Sequence, residues 1–275
     1  MAGITCAVRL GLWLDDLGLD IRAALKAVAP IQPEAVGLDA FRPELSPRAL
    51  GQTARRDLAR LIKTTGAALA ALYADLGGRR LADAAALDAN LGRVREALQL
   101  ASDLGAAHLV VQVGYVPPLQ SGAGEQADAA ARAALAEAAR ALRDMSASSR
   151  ARVAWAGGNE APEALAEFLR TVDSSGILDV DLNPGAYVMR GHDPLKALQS
   201  LSSRVALARA VDYYRGGGEA PFGRGDVPWG EVLVGLSTLS RPVQVLAGCA
   251  LACDRPAALE RAYGRLAALR QNPMG

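Results

Sequence analysis

Gly11-Leu12-Trp13-Leu14-Asp15-Asp16 follows the first strand-like run, Ile4–Leu10, and decides between two ways of packing helices on a parallel sheet. A doubly wound open sheet usually carries a glycine-rich phosphate loop here, where its first strand turns into its first helix. One glycine followed by leucines, a tryptophan and two aspartates is no such loop. A closed barrel asks for no phosphate loop there. It asks instead for repeated strand–helix units in unbroken order.

Eight such units can be read outward from that stretch. Strand-like runs occur at Ile4–Leu10, Ala35–Asp39, Ala67–Tyr73, Ala107–Val113, Arg152–Ala156, Ile177–Asp181, Arg204–Arg209 and Pro242–Leu246. They are nearly continuous in apolar residues, as strands are when a parallel sheet is covered on both faces. Helical patterns fill the intervals at Ile21–Ala29, Pro47–Thr65, Asp83–Gly105, Gly124–Met145, Pro162–Val172, Pro194–Leu201, Trp229–Thr238 and Arg255–Leu269. Ser46-Pro47, Asp193-Pro194 and Asp254 are start signals for three of them. Gly66 and Gly105 stand where helices should stop. Composition does not break along the chain. The expectation is therefore one α/β domain over residues 1–275, a single (β/α)8 TIM barrel with its pocket at the carboxyl ends of the strands. Two Gly/Pro-rich stretches, Tyr115–Gln126 and Asp212–Pro228, follow strands four and seven on that face, where loop length tends to follow function.

The 275 residues are 51% hydrophobic but only 4% aromatic, so the core must be built from Ala, Leu and Val. With 30 basic and 29 acidic residues the net charge is +1, which offers no basic stripe for nucleic acid. Arg55-Arg56 and Arg79-Arg80 read as solvated faces. Three cysteines, Cys6, Cys249 and Cys253, make no disulfide framework. No basic–apolar leader opens the chain and no apolar run reaches the ~18 residues of a membrane span. A cytoplasmic protein that engages neither membrane nor nucleic acid is expected, and the heavy Ala, Arg and Gly usage suggests a GC-rich bacterial genome.

Several segments together carry a family likeness. Leu100-Ala101-Ser102-Asp103-Leu104-Gly105-Ala106 leads into strand four, Asp181-Leu182-Asn183-Pro184-Gly185 ends strand six, and Phe222-Gly223-Arg224-Gly225-Asp226-Val227-Pro228-Trp229 follows strand seven. In this order they resemble the xylose isomerase-like barrels, the sugar phosphate isomerase/epimerase group, across almost the whole chain. The resemblance implies a divalent metal held by a Glu ending strand five, an Asp ending strand six, a His ending strand seven and a Glu ending strand eight. Such a metal polarises a carbonyl or hydroxyl while a carboxylate moves a proton between neighbouring carbons.

Carried over one position at a time, the four ligands are replaced. Ala156 stands where the strand-five Glu falls, Asn183 where the strand-six Asp falls, and Arg209 where the strand-seven His falls. The strand-eight Glu falls at Leu246 or Ala247. A methyl group cannot coordinate a cation, and a guanidinium repels one. The expectation is a barrel with no metal and no cofactor. Only two histidines exist, His108 and His192, so a three-histidine zinc site is excluded by count. His108 reads as a packing residue at the barrel bottom and His192 as a turn residue.

The residues expected to line the pocket are Arg9, Asp39, Tyr73, Gln112, Trp155, Asn183, Arg209 and Gln244, of which all but Asp39 are candidate ligand contacts. A buried arginine at a strand end needs a carboxylate or an anionic ligand. Asp181, Asp212 and Glu160 are candidate neighbours of Arg209, and Asp39 of Arg9. Glu160 itself reads either as a first-turn acid of helix five or as a displaced carboxylate. With no histidine to activate them, Cys6 and Cys249 read as packing residues. Three functions follow. One is a non-catalytic relative that binds a small anionic or sugar-like ligand. The second is a metal-independent isomerase, epimerase or lyase using Tyr73, Arg209 and Asp212. The third is an ordinary metal-dependent isomerase. Relatives of this fold often pair, so a homodimer is the expected assembly.

Overall fold

The computed structural model describes residues 8–46, 50–76, 81, 85–116, 125–249 and 253–273. In chain order the strands are β1 (Val8–Trp13), β2 (Ala35–Asp39), β3 (Ala68–Ala74), β4 (His108–Val111), β5 (Arg152–Ala156), β6 (Asp179–Leu182), β7 (Val205–Ala210), β8 (Asp212–Tyr213), β9 (Glu219–Ala220) and β10 (Val243–Ala247). Eight of them close into a barrel in the order β1-β10-β7-β6-β5-β4-β3-β2, while β8 and β9 form a separate antiparallel hairpin. Every pairing in the barrel is parallel. The fold is a (β/α)8 TIM barrel.

The helices are α1 (Ile21–Val28), α2 (Gln52–Thr64), α3 (Leu87–Leu104), α4 (Glu125–Ala147), α5 (Pro162–Val172), α6 (Pro184–Met189), α7 (Pro194–Leu201), α8 (Trp229–Ser237) and α9 (Arg255–Gln271). Their ends follow local chemistry. The Asp193 side chain accepts from the Leu195 and Lys196 amides with Pro194 at the first turn of α7, and Asp254 accepts from the Ala257 amide to start α9. Gly105, at φ 76°, ends α3 and lets the Ala106 amide reach back to the Ala101 carbonyl at 2.9 Å. The Ser46-Pro47 start signal is different. The helix begins only at Gln52 behind Gly51, and residues 47–49 lie outside the described residues.

Alternation along the strands sorts side chains into two cores. Leu10, Leu12, Val36, Leu38, Leu72 and Leu109 face outward and pack under the helices. Trp13, Ala35, Ala71, Val110, Leu207 and Leu246 form a second cluster, inside the barrel. Two glycines make room there. A Cβ on Gly11 would lie 2.6 Å from Leu246 Cδ2, and one on Gly37 would run into the Trp13 ring.

Strand one departs from its expected bounds. The strand runs Val8–Trp13 rather than Ile4–Leu10, and residues 4–7, with Cys6 among them, lie outside the described residues. The signal was present in the sequence. Leu10, Leu12 and Leu14 continue a period of two past Leu10, with Gly11 and Trp13 on the other face.

The amino-terminal end of the barrel is closed by an ion cluster. Buried Asp179 accepts from Arg152 Nε at 2.6 Å and lies 2.7 Å from Arg241 Nη1 and 3.1 Å from His108 Nε2. Burial pushes its carboxyl up, but the His108 and Arg152 hydrogen bonds and the Arg241 charge outweigh it and hold the group down at about 2. Among the described residues no helix is long and apolar enough to cross a membrane.

Candidate functional site

The opposite end, where the strands finish, gathers the polar groups. Arg209, second to last in β7, projects inward against two rings. Its guanidinium carbon lies 4.4 Å from the Trp13 ring centroid and 5.2 Å from that of Tyr73. Those two rings meet edge to face at 5.9 Å. Arg209 Nη2 is buried without a hydrogen-bond partner, and Arg209 makes no ion pair with any described residue. Tyr73 donates its hydroxyl to Gln112 Oε1 at 3.1 Å on the rim.

Carboxyls surround this stack. Asp181 lies in β6, buried, and burial pushes it up to about 6 against the pull of Arg209. Burial also lifts Asp39, at the end of β2, to about 6, opposed by the Phe41 amide and helped by the neighbouring charges of Asp15 and Asp75. Asp15 and Asp16, in the turn after β1, are likewise raised by burial, and Arg209 pulls on both. Each has a structural partner. Asp15 accepts from the Asp39 amide at 2.6 Å and pairs with Arg42 at 3.1 Å, while Asp16 accepts from the Cys249 amide at 2.8 Å.

Of the residues expected in the pocket, Asp39, Tyr73, Gln112 and Arg209 come together at the mouth. Asn183 also ends its strand there, but its Oδ1 accepts from the Ala186 amide and caps α6, a short helix that the sequence reading missed. Three residues lie elsewhere. Arg9 and Gln244 are register partners near the amino-terminal ends of β1 and β10, at the far end of the barrel, so the Arg9–Asp39 pair does not form. The slip in strand one put Arg9 at the wrong end. Trp155 points outward, fully buried, and meets Phe168 of α5 edge to face at 5.7 Å. It lies one residue out of phase with the lumen-facing Ala154 and Ala156. The aromatic residue that does line the mouth is Trp13.

The expected partners of Arg209 divide in the same way. Asp181 is its electrostatic neighbour. Asp212 is occupied: its carboxylate accepts from the amides of Tyr213, Gly223, Gly225 and Val227 and pins the β8–β9 hairpin. Glu160 is not a first-turn acid, because α5 starts at Pro162 and Glu163 fills that role. It is 1% exposed, with neither oxygen in a hydrogen bond of ordinary geometry, near the Tyr187 hydroxyl, which likewise lacks one. Burial pushes Glu160 up to about 8, opposed by the Gly158 amide and the Arg190 charge. His108 and His192 keep structural roles, the first on Asp179 and the second against the Tyr187 ring at 6.2 Å.

The strand-eight register is fixed by its neighbour. Leu246 pairs with Arg209 across β10 and β7 and belongs to the inner core, whereas Ala247 faces the helices. Ala156 ends β5, Asn183 directly follows β6, and Arg209 and Leu246 are each second to last in β7 and β10, four strands that are neighbours in the barrel order. Among the described residues no group of three or more His, Cys, Asp or Glu side chains is arranged to hold a metal ion.

A family model described as a xylose isomerase-like TIM barrel matches residues 29–239. No curated protein matches the sequence. Solved structures do. A xylose isomerase domain protein from Planctomyces limnophilus is 18% identical, with 96% of each chain covered and a TM-score of 0.77. A D-psicose 3-epimerase from Clostridium cellulolyticum H10, solved with D-tagatose, is 12% identical, with 96% of this chain and 98% of that one covered and a TM-score of 0.73. A xylose isomerase-like TIM barrel protein from Mycobacterium smegmatis, solved in complex with magnesium, is 14% identical, with 92% and 89% covered and a TM-score of 0.71. At these identities the structural likeness establishes the fold alone.

Proposed function

The chain belongs to the xylose isomerase-like TIM barrel family, and from that premise we propose that it binds a small sugar-like or anionic molecule at the barrel mouth without the family's metal and without its isomerisation chemistry. One observation carries the reading: Arg209 sits beside Leu246 on neighbouring strands, with its guanidinium packed against Trp13 and Tyr73.

The resemblance sets a cation where these side chains meet. The donors present do not fit one. Ala156 and Leu246 have no lone pairs to offer, the Asn183 oxygen is spent on the Ala186 amide, and Arg209 brings its own positive charge. No step through a metal is derived. What the mouth offers is an aromatic-held guanidinium, a rim amide at Gln112, and carboxyls able to accept hydrogen bonds from hydroxyl groups.

Asp39 and Asp181, lifted toward neutrality beside Tyr73 and Arg209, favour a second reading, a metal-independent isomerase or lyase. Asp212 speaks against the particular proton relay expected from sequence, since its carboxylate is held by backbone amides. One experiment separates the readings. The purified protein is surveyed by thermal shift against a panel of sugars, with EDTA and with Mn2+, and incubated with D-fructose for chromatographic detection of epimers. The reading requires stabilisation by at least one sugar-like compound, equal in EDTA and Mn2+, with no turnover. Turnover in EDTA supports the second reading, and Mn2+-dependent turnover refutes both.

A further inference from the structure

We infer that the ligand at the mouth carries a carboxylate rather than a phosphate, that is, a polyhydroxylated acid whose carboxylate docks on the edge of Arg209. The inference rests on the binding reading above and deepens it. Trp13 and Tyr73, set at right angles to each other, pack against the guanidinium, and no described residue forms an ion pair along its in-plane edge. On that edge Nη2 has no partner in the protein, which is costly for a buried donor unless something else meets it. A planar fork of N–H donors matches a planar two-oxygen anion in bidentate fashion.

Phosphate is disfavoured by the backbone. Sites for phosphoryl groups are usually built from free amides at helix starts and glycine loops. Among the described residues of this face, four such amides are taken by the protein's own oxygens. Ala186 N, at the start of α6, donates to Asn183. Gly223 N and Gly225 N, in the glycine loop, donate to Asp212. Cys249 N, after β10, donates to Asp16. The Arg209 guanidinium lies among Asp15, Asp16 and Asp181, which all feel its field. A second charge on the ligand, as on a phosphate monoester near neutrality, would meet those carboxylates. The same carboxylates accept from the hydroxyl groups of a polyol chain, as does Gln112.

Four probes on one six-carbon skeleton test this by isothermal titration calorimetry: D-gluconate, its neutral amide D-gluconamide, D-glucitol and D-glucose 6-phosphate. The wild-type protein is expected to bind gluconate at least about tenfold more tightly than gluconamide, and more tightly than the phosphate ester. Arg209→Gln should erase the gluconate–gluconamide difference, an effect that a merely structural role for Arg209 would not produce. Arg209→Lys, which keeps the charge and loses the fork, should retain only part of it and covers the case in which the Gln variant does not fold. Equal binding of gluconate and gluconamide, tighter binding of the phosphate ester, or undiminished discrimination in Arg209→Gln overturns the inference. Neutral sugars binding while gluconate does not overturns the ligand class and spares the binding reading. A panel in which nothing binds overturns both.

Discussion

Glu160→Gln should stabilise the protein, and by an amount that grows with pH. The carboxyl is 1% exposed with neither oxygen in a hydrogen bond of ordinary geometry, and burial, outweighing the Gly158 amide and the Arg190 charge, pushes it from 4.5 up to about 8. A folded-state value above the unfolded one means that the native state keeps a proton the unfolded chain has released. Stability from this group is therefore full below about pH 4.5 and is lost as pH rises toward 8, after which the loss levels off. At roughly 1.4 kcal/mol per pH unit, the ceiling on that loss is about 5 kcal/mol above pH 8 and about 3 kcal/mol at pH 7. A neutral glutamine of the same shape removes the linkage. Urea unfolding of wild type and variant from pH 4 to pH 9, read by tryptophan fluorescence, isolates it as a difference in which other titrations cancel. The two curves should converge near pH 4 and diverge steadily above it. Parallel curves would mean that Glu160 is ionised in the native protein and finds a partner or water, contrary to the packing around Tyr187.

Gly37→Ala should cost roughly 1–3 kcal/mol in urea unfolding and perturb Trp13 emission, because the new methyl enters the Trp13 ring and comes within 2.9 Å of Leu246. Asp179→Asn should lower stability by roughly 2 kcal/mol at pH 7, since the carboxyl is held at about 2 against an ordinary 3.8. That contribution is present above about pH 4 and disappears as pH falls toward 2, so the wild-type and variant stabilities should converge in acid. Asp212→Asn replaces a carboxylate that accepts from four backbone amides, and trypsin should then cut at Arg215, between β8 and β9, several-fold faster than in wild type, without a matching rise at other sites.

The barrel could be read from the sequence because its evidence is repeated and local. β2 and β5 run over the residues that the apolar runs indicate, and α5 and α7 start at prolines whose fixed φ suits a first turn. The mouth was harder, because a side chain's place there depends on one-residue phase. The apolar run places strand one about three residues early, which exchanges Trp13 for Arg9, and Trp155 stands one residue out of phase with the lumen-facing Ala154 and Ala156. Short elements that owe their form to tertiary contacts escaped altogether: α6, closed by the Asn183 cap, and the β8–β9 hairpin, folded around the Asp212 carboxylate. Glu160 could not be told from an ordinary first-turn acid, because its burial depends on Tyr187, which arrives from a different strand–helix unit.

Whether a divalent ion takes its family position at this mouth is the most direct question to put to the protein. Titration of the purified chain with Mn2+, counting free aqueous ion by its EPR signal, answers it. The Arg209–Leu246 pairing predicts that the added ion stays free at micromolar concentrations, in wild type and in Arg209→Gln alike. One tightly held ion per wild-type chain, displaced by Mg2+ and lost on substitution of Asp39 or Asp181, would contradict it.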